Sequence, residues 1–115
     1  MAFTHQGAPW TGQRNKLGVS WGTKPDRQAV VRDFEKAQAW SRKEQRPLYL
    51  GEFGAYDKAE MSARARYTDC VAREAEQRDW SWAYWQFDSD FIAYDIPHRR
   101  WVQPIRDALI PSRGR

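Results

Sequence analysis

Leu48-Tyr49-Leu50-Gly51-Glu52-Phe53-Gly54 is a short apolar run that carries one carboxylate near its end, between two glycines. Pro47 before it marks where the preceding segment must stop. The run shows no polar alternation, so it reads as a strand of a parallel sheet covered on both faces. The glycines allow backbone angles that other residues resist and leave room for a ligand, so the strand presents Glu52 for chemistry. The plainer alternative is a strand-end glutamate facing water.

Working outward, Thr23 can cap a helix that starts near Pro25-Asp26, with proline in the first turn and Asp26 complementing the dipole. Val30, Phe34, Ala37 and Trp40 then fall on one face, and the helix ends near Gln45. A second helix spans roughly Met61 to Arg78, with Ala63, Tyr67, Cys70 and Val71 inward and Arg64, Arg73 and Glu74 elsewhere. Trp82 to Phe87 is aromatic enough for a second strand. Asp88-Ser89-Asp90 and Tyr94-Asp95 read as a polar loop after it, and a short helix, Val102 to Ile110, follows. Residues 1–24 form an irregular lead-in loop rich in glycine. Helix, strand, helix, strand, helix implies an α/β chain with two parallel strands and three helices, joined by right-handed crossovers. Ligands of such sheets bind at the carboxyl ends of the strands, where Glu52, Asp88 and Asp90 fall.

With 115 residues there is room for a single domain, 1–115. Lys and Arg total 19 against 15 Asp and Glu. The excess is spread along the chain rather than gathered, which reads as solvated helix faces and no nucleic-acid partner. Cys70 is the only cysteine, so no intrachain disulfide is available, and a buried, inert thiol is expected. His5 and His98 lack metal-ligand spacing. The amino terminus lacks the features of a secretory signal, and nowhere do about 18 apolar residues run together. The expectation is a chain that stays where it is made, cytoplasmic by default, with no membrane partner. Among the 7 tryptophans, Trp40 and Trp82 are assigned to the core and Trp85 to a ligand. Rings in loop-like sequence, such as Trp10, suit a stacking ligand.

Three stretches together carry a resemblance: Phe3-Thr4-His5-Gln6-Gly7-Ala8, Pro47 to Tyr56, and Ala83-Tyr84-Trp85-Gln86-Phe87-Asp88-Ser89-Asp90-Phe91. With the ending Trp101 to Leu109, they resemble the carboxyl-terminal part of glycoside hydrolase family 5, the cellulases. That resemblance implies an eight-stranded (β/α) barrel and retaining hydrolysis of β-linked glucans. It makes Glu52 the nucleophile at the end of the seventh strand and Trp85 the platform beneath the sugar beside the cleaved bond. A full barrel takes about 250 residues, and this chain matches only the last two strands and their helices. The family's Asn-Glu-Pro stretch, whose glutamate is the general acid, has no counterpart here, nor does its His-X-Tyr pair. Family members are often secreted.

Three readings follow. The chain is a glycosidase acting on β-1,4-glucan or cello-oligosaccharides, with Glu52 as nucleophile, Asp88 or Asp90 as acid, and Trp85, His5, Gln6, Trp10, Gln86 and Tyr56 lining subsites. Either aspartate would need an apolar pocket among Trp82, Trp85 and Phe87 to act as an acid, and loop capping is its plainer role. Alternatively the chain is a non-catalytic glucan-binding module, with Trp10, Trp21, Trp85 and Trp101 as platforms, or an inactive truncated gene product whose Met1 falls in mid-loop. The chemistry needs no metal and no cofactor, and none is signalled. Two strands leave open edges, so a homodimer or higher homo-oligomer, or a rearrangement, is expected to complete the partial barrel.

Overall fold

Thr23 opens the first helix through a reciprocal cap. Its hydroxyl oxygen accepts from the Asp26 N–H at 3.3 Å, and the Asp26 carboxylate accepts from the Thr23 N–H at 2.9 Å. In the computed structural model, which describes residues 2–112, helix α1 spans Lys24–Glu44. Then come β1 (Tyr49–Phe53), α2 (Met61–Glu76), β2 (Ser81–Tyr84), a hairpin of β3 (Tyr94–Asp95) and β4 (Arg100–Trp101), and α3 (Gln103–Leu109). Met1, whose position the sequence puts in mid-loop, lies outside the described residues, as do residues 113–115.

Strands β1 and β2 pair in parallel, with Leu50 opposite Trp82 and Phe53 opposite Tyr84. The Phe53 carbonyl also accepts from the Trp85 N–H at 2.8 Å, which ties the two strand ends together. Strand β2 stops at Tyr84 rather than Phe87, because the Phe87 carbonyl takes the amides of Ala93 and Tyr94 at 3.1 and 2.7 Å. That folds the segment back onto the hairpin, which lies where the sequence reads as loop. Two-residue strands carry too little pattern to be legible.

Helix α2 is the spine. Ala63, Ala72 and Ala75 are fully buried, and their small size lets α2 sit close on the strands. One cluster gathers Phe3, Trp21, Ala55, Ala59 and Cys70 on its flank; another gathers Phe53, Val71, Ala93, Ile105 and Leu109. Burying Ile105 completely contributes about 1.5–3 kcal/mol. Burial also pushes the Cys70 thiol up, as fits an inert core cysteine.

Three expectations are corrected. Among the described residues the sheet is covered on one face: Leu50, Trp82 and Tyr84 pack toward α2 and α3, whereas Tyr49 is 64% exposed. Helix α1 has no buried residue, and Trp40, expected in the core, is 52% exposed because nothing among the described residues covers the end of its stripe. Arg64 does not belong to a solvated face. It is 2% exposed beneath the strand ends, with Nε donating to the Ala55 carbonyl at 3.2 Å. Arg73 also reaches across, donating to the carbonyls of Ala108 and Leu109 at 3.2 and 3.0 Å and so capping α3.

Candidate active site

A cavity of about 500 Å³ opens at the carboxyl ends of β1 and β2. Glu52 enters it from the end of β1, and Trp85 and Gln86 enter from the residues just after β2. The lead-in loop folds over the same place, bringing His5 and Trp10 to the wall. It is fastened there by a backbone bond, Tyr56 N–H donating to the Thr4 carbonyl at 2.9 Å, while Asp57 N–H donates to the Asp90 carbonyl at 2.9 Å and so ties the loop after β1 to the turn after β2. Three segments distant in sequence therefore converge on one carboxylate.

The walls divide by chemistry. Trp85 and Trp10 are 46% and 57% exposed, so both rings keep a face free for a ligand. Trp10 stands edge-on to Tyr56 at 5.1 Å, and Phe91 packs behind both Tyr56 and His5 at 5.7 and 5.8 Å. Tyr56 and Phe91 are buried, so the free rings rest on a fixed aromatic base. The Glu52 carboxylate is exposed and engages no hydrogen bond or ion pair among the described residues, which leaves its oxygens unengaged.

The glycines flanking Glu52 act differently from the sequence expectation. Neither has a left-handed backbone. At Gly54 a Cβ would meet the Trp85 carbonyl oxygen at 2.0 Å, so the space is filled by the neighbouring strand end, not by a ligand. At Gly51 the nearest atom to a Cβ is in the Tyr49 ring at 3.5 Å, an ordinary contact.

Among the other nominated residues, His5, Trp10, Gln86 and Asp90 reach the cavity, and Gln6, Tyr56 and Asp88 are not in its wall. Gln6 is 1% exposed, with its amide donating to the Val19 carbonyl at 2.8 Å and accepting from the Val19 N–H at 3.1 Å. It braces the lead-in instead of meeting a ligand. Trp21 is buried against Phe3 and Tyr67, with Arg27 over its ring at 5.5 Å, so it is no platform. Trp101 belongs to a different cavity. Asp88 precedes the short turn Ser89–Phe91 without capping it through its side chain, and both Asp88 and Asp90 are solvent-exposed. The apolar enclosure that would suit either one as an acid does not surround them.

Sequence reasoning passed over Phe91 and Tyr67 as cavity residues. A lone phenylalanine closing the polar stretch Asp88-Ser89-Asp90 was the available signal for the first. Tyr67 lies four residues after Ala63 on the inner face of α2, and burial pushes its hydroxyl up to about 12.

The chain matches the family model Cellulase (glycosyl hydrolase family 5) over residues 1–91. It is 29% identical over 113 residues to Endoglucanase H of Acetivibrio thermocellus, a match covering 93% of this chain and 11% of that protein. Among solved structures it superposes on endoglucanase Cel5A of Thermotoga maritima with a TM-score of 0.92 and 45% identity, covering 95% of this chain and 36% of that one. Cel5A has also been solved with cellobiose and with mannotriose. The cellulose synthase subunit Z of Clostridioides difficile gives a TM-score of 0.91 at 32% identity, covering 95% of this chain and 37% of that one. The chain thus spans about a third of the length of these solved proteins. It has the arrangement of two strands and three helices of a (β/α)8 barrel, without rearrangement.

Proposed function

The chain belongs to glycosyl hydrolase family 5, and from that premise we propose that it carries the nucleophile side of a retaining site for β-1,4-glucans, with Glu52 attacking the anomeric carbon. The observation that carries this reading is the convergence of an unengaged Glu52 with the open rings of Trp85 and Trp10 in one cavity. A pyranose presents axial C–H bonds on its faces and hydroxyls around its rim. Trp85 supports the face, while Gln86 and His5 bond the rim. Cel5A's complexes with cellobiose and mannotriose favour a substrate class that takes both gluco- and manno-configured oligosaccharides.

Retaining hydrolysis needs two carboxyl groups about 5 Å apart, one to attack and one to protonate the leaving oxygen. Asp90 is the one other carboxylate in the wall among the described residues, and it lies exposed. Glu52 therefore works alone only where the leaving group departs without a proton. A Glu52 oxygen forms the bond to C1 as the C1–O bond breaks, and the electron pair leaves on the phenolate of an activated aryl glycoside. The glycosyl ester then accumulates, because no general base hastens its attack by water.

Dinitrophenyl β-cellobioside tests this. The expected result is a stoichiometric burst of phenolate and a mass increase of one cellobiosyl group located on Glu52, both absent in Glu52→Gln. A burst undiminished in Glu52→Gln sinks the assignment. The exposed Trp10 and Trp85 favour a second reading, oligosaccharide binding without turnover. Under that reading Glu52→Gln and the parent bind cellotetraose equally and neither releases phenolate.

A further inference from the structure

Beneath the ends of β1 and β2, one guanidinium reaches both segments that line the candidate active site. Arg64 rises from the start of α2 and is 2% exposed. Its Nε donates to the Ala55 carbonyl at 3.2 Å, three residues beyond Glu52. The same guanidinium stands beside the hydroxyl of Tyr84, the last residue of β2: burial pushes that hydroxyl up, and the charge and N–H groups of Arg64 draw it back down. The Tyr84 hydroxyl in turn donates to the Phe91 carbonyl at 2.7 Å. A single buried side chain thus links the residues that follow Glu52 to the turn that follows Trp85 and Gln86.

Stability alone gives no reason for a charge in that place. Among the described residues no carboxylate pairs with Arg64 and its Nη2 has no hydrogen-bond partner, and an apolar side chain of similar volume holds such a position as firmly. What the guanidinium adds is a planar fork of donors that serves two segments at once. Both segments bear directly on the site. Phe91 packs against His5 and Tyr56 at 5.8 and 5.7 Å, and its Cδ1 lies 3.2 Å from where a Cβ on Gly54 would stand. Two backbone bonds run alongside, from Trp85 N–H to the Phe53 carbonyl at 2.8 Å and from Asp57 N–H to the Asp90 carbonyl at 2.9 Å. Any shift of Ala55 against Phe91 therefore moves Glu52 against Trp85.

We propose that Arg64 is a positioning residue that fixes Glu52 on one segment relative to Trp85 and Gln86 on the other, acting through the Ala55 carbonyl and through Tyr84 to the Phe91 carbonyl. It touches no substrate. The proposal rests on the reading of Glu52 above and names what sets the aim of that carboxylate. Attack requires reacting atoms about 3–3.5 Å apart, and a misplacement of about 1 Å costs about a hundredfold in rate. Loss of Arg64 therefore slows glycosylation of Glu52, while the Trp85 ring still offers its face to a sugar.

Dinitrophenyl β-cellobioside separates alignment from folding, because the burst amplitude counts folded chains and the burst rate constant reports how well a bound sugar is aimed. Arg64→Met should keep the amplitude within about twofold of the parent and slow the burst about tenfold or more, with cellotetraose affinity, read by tryptophan fluorescence, within about threefold. Tyr84→Phe, which removes only a hydroxyl, should slow it about threefold or more, and the double variant should be no slower than Arg64→Met alone. Hydrogen exchange gives a readout independent of turnover. In Arg64→Met the amides of Asp57 and Trp85 should exchange about tenfold faster or more, whereas those of Val71 and Ala72 in α2 change less than about fivefold. A lower amplitude at an unchanged rate constant, additive effects of the two substitutions, or unaltered exchange at Asp57 and Trp85 overturns the proposal. A parent chain that gives no burst counts against Glu52 as nucleophile, and exchange at Asp57 and Trp85 then decides the role of Arg64 by itself.

Discussion

Replacing Gly54 with alanine should loosen the site without touching any group that does chemistry. The added Cβ would lie 2.0 Å from the Trp85 carbonyl oxygen and 3.2 Å from Phe91 Cδ1. Side-chain carbons essentially never approach closer than about 3 Å, so the Trp85 carbonyl must retreat by about 1 Å. The neighbouring bond from Trp85 N–H to the Phe53 carbonyl, now 2.8 Å, then stretches beyond hydrogen-bond length. Losing it costs about 1 kcal/mol and the overpacking about 1–3 kcal/mol, together about 2–4 kcal/mol. With a urea slope near 2 kcal/mol per molar, the unfolding midpoint should fall by roughly 1–2 M. Gly51→Ala is the matched control, since its Cβ meets only the Tyr49 ring at ordinary distance. It should leave the midpoint unchanged or raise it by up to about 0.5 M through reduced unfolded-state freedom. Equal midpoints for the two variants would refute the argument that strand-end contact, and not flexibility, requires the glycine.

Two further expectations rest on α2. Burial raises the Tyr67 hydroxyl from its ordinary value of 10 to about 12. Its stabilising effect is therefore complete below pH 10 and is lost as pH rises to about 12, a change of about 2–3 kcal/mol. Tyr67→Phe should remove that alkaline loss in a pH series of urea midpoints, and an unchanged alkaline slope would contradict it. Arg64 is buried, and among the described residues its Nη2 has no hydrogen-bond partner and no carboxylate pairs with it. Arg64→Met, which keeps the volume and removes the charge, should cost less than about 1 kcal/mol, against about 2–5 kcal/mol for Arg64→Ala. Equal losses by denaturation would assign the residue's value to its charge instead.

The sequence was most legible where a local pattern carries its own cause. Thr23 and Asp26 announce the α1 cap because both halves of the box lie within one turn. The order of helices and strands followed from periodicity and Pro47. Periodicity says which residues share a face, but not whether anything covers that face, so Trp40 read as core and stands exposed. Gln6 read as a ligand group because a loop amide looks solvated, yet it bonds Val19 much as a neighbouring strand would. Arg64 read as surface because charge normally is. The reason for Gly54 lies in the carbonyl of Trp85, a contact no local pattern records.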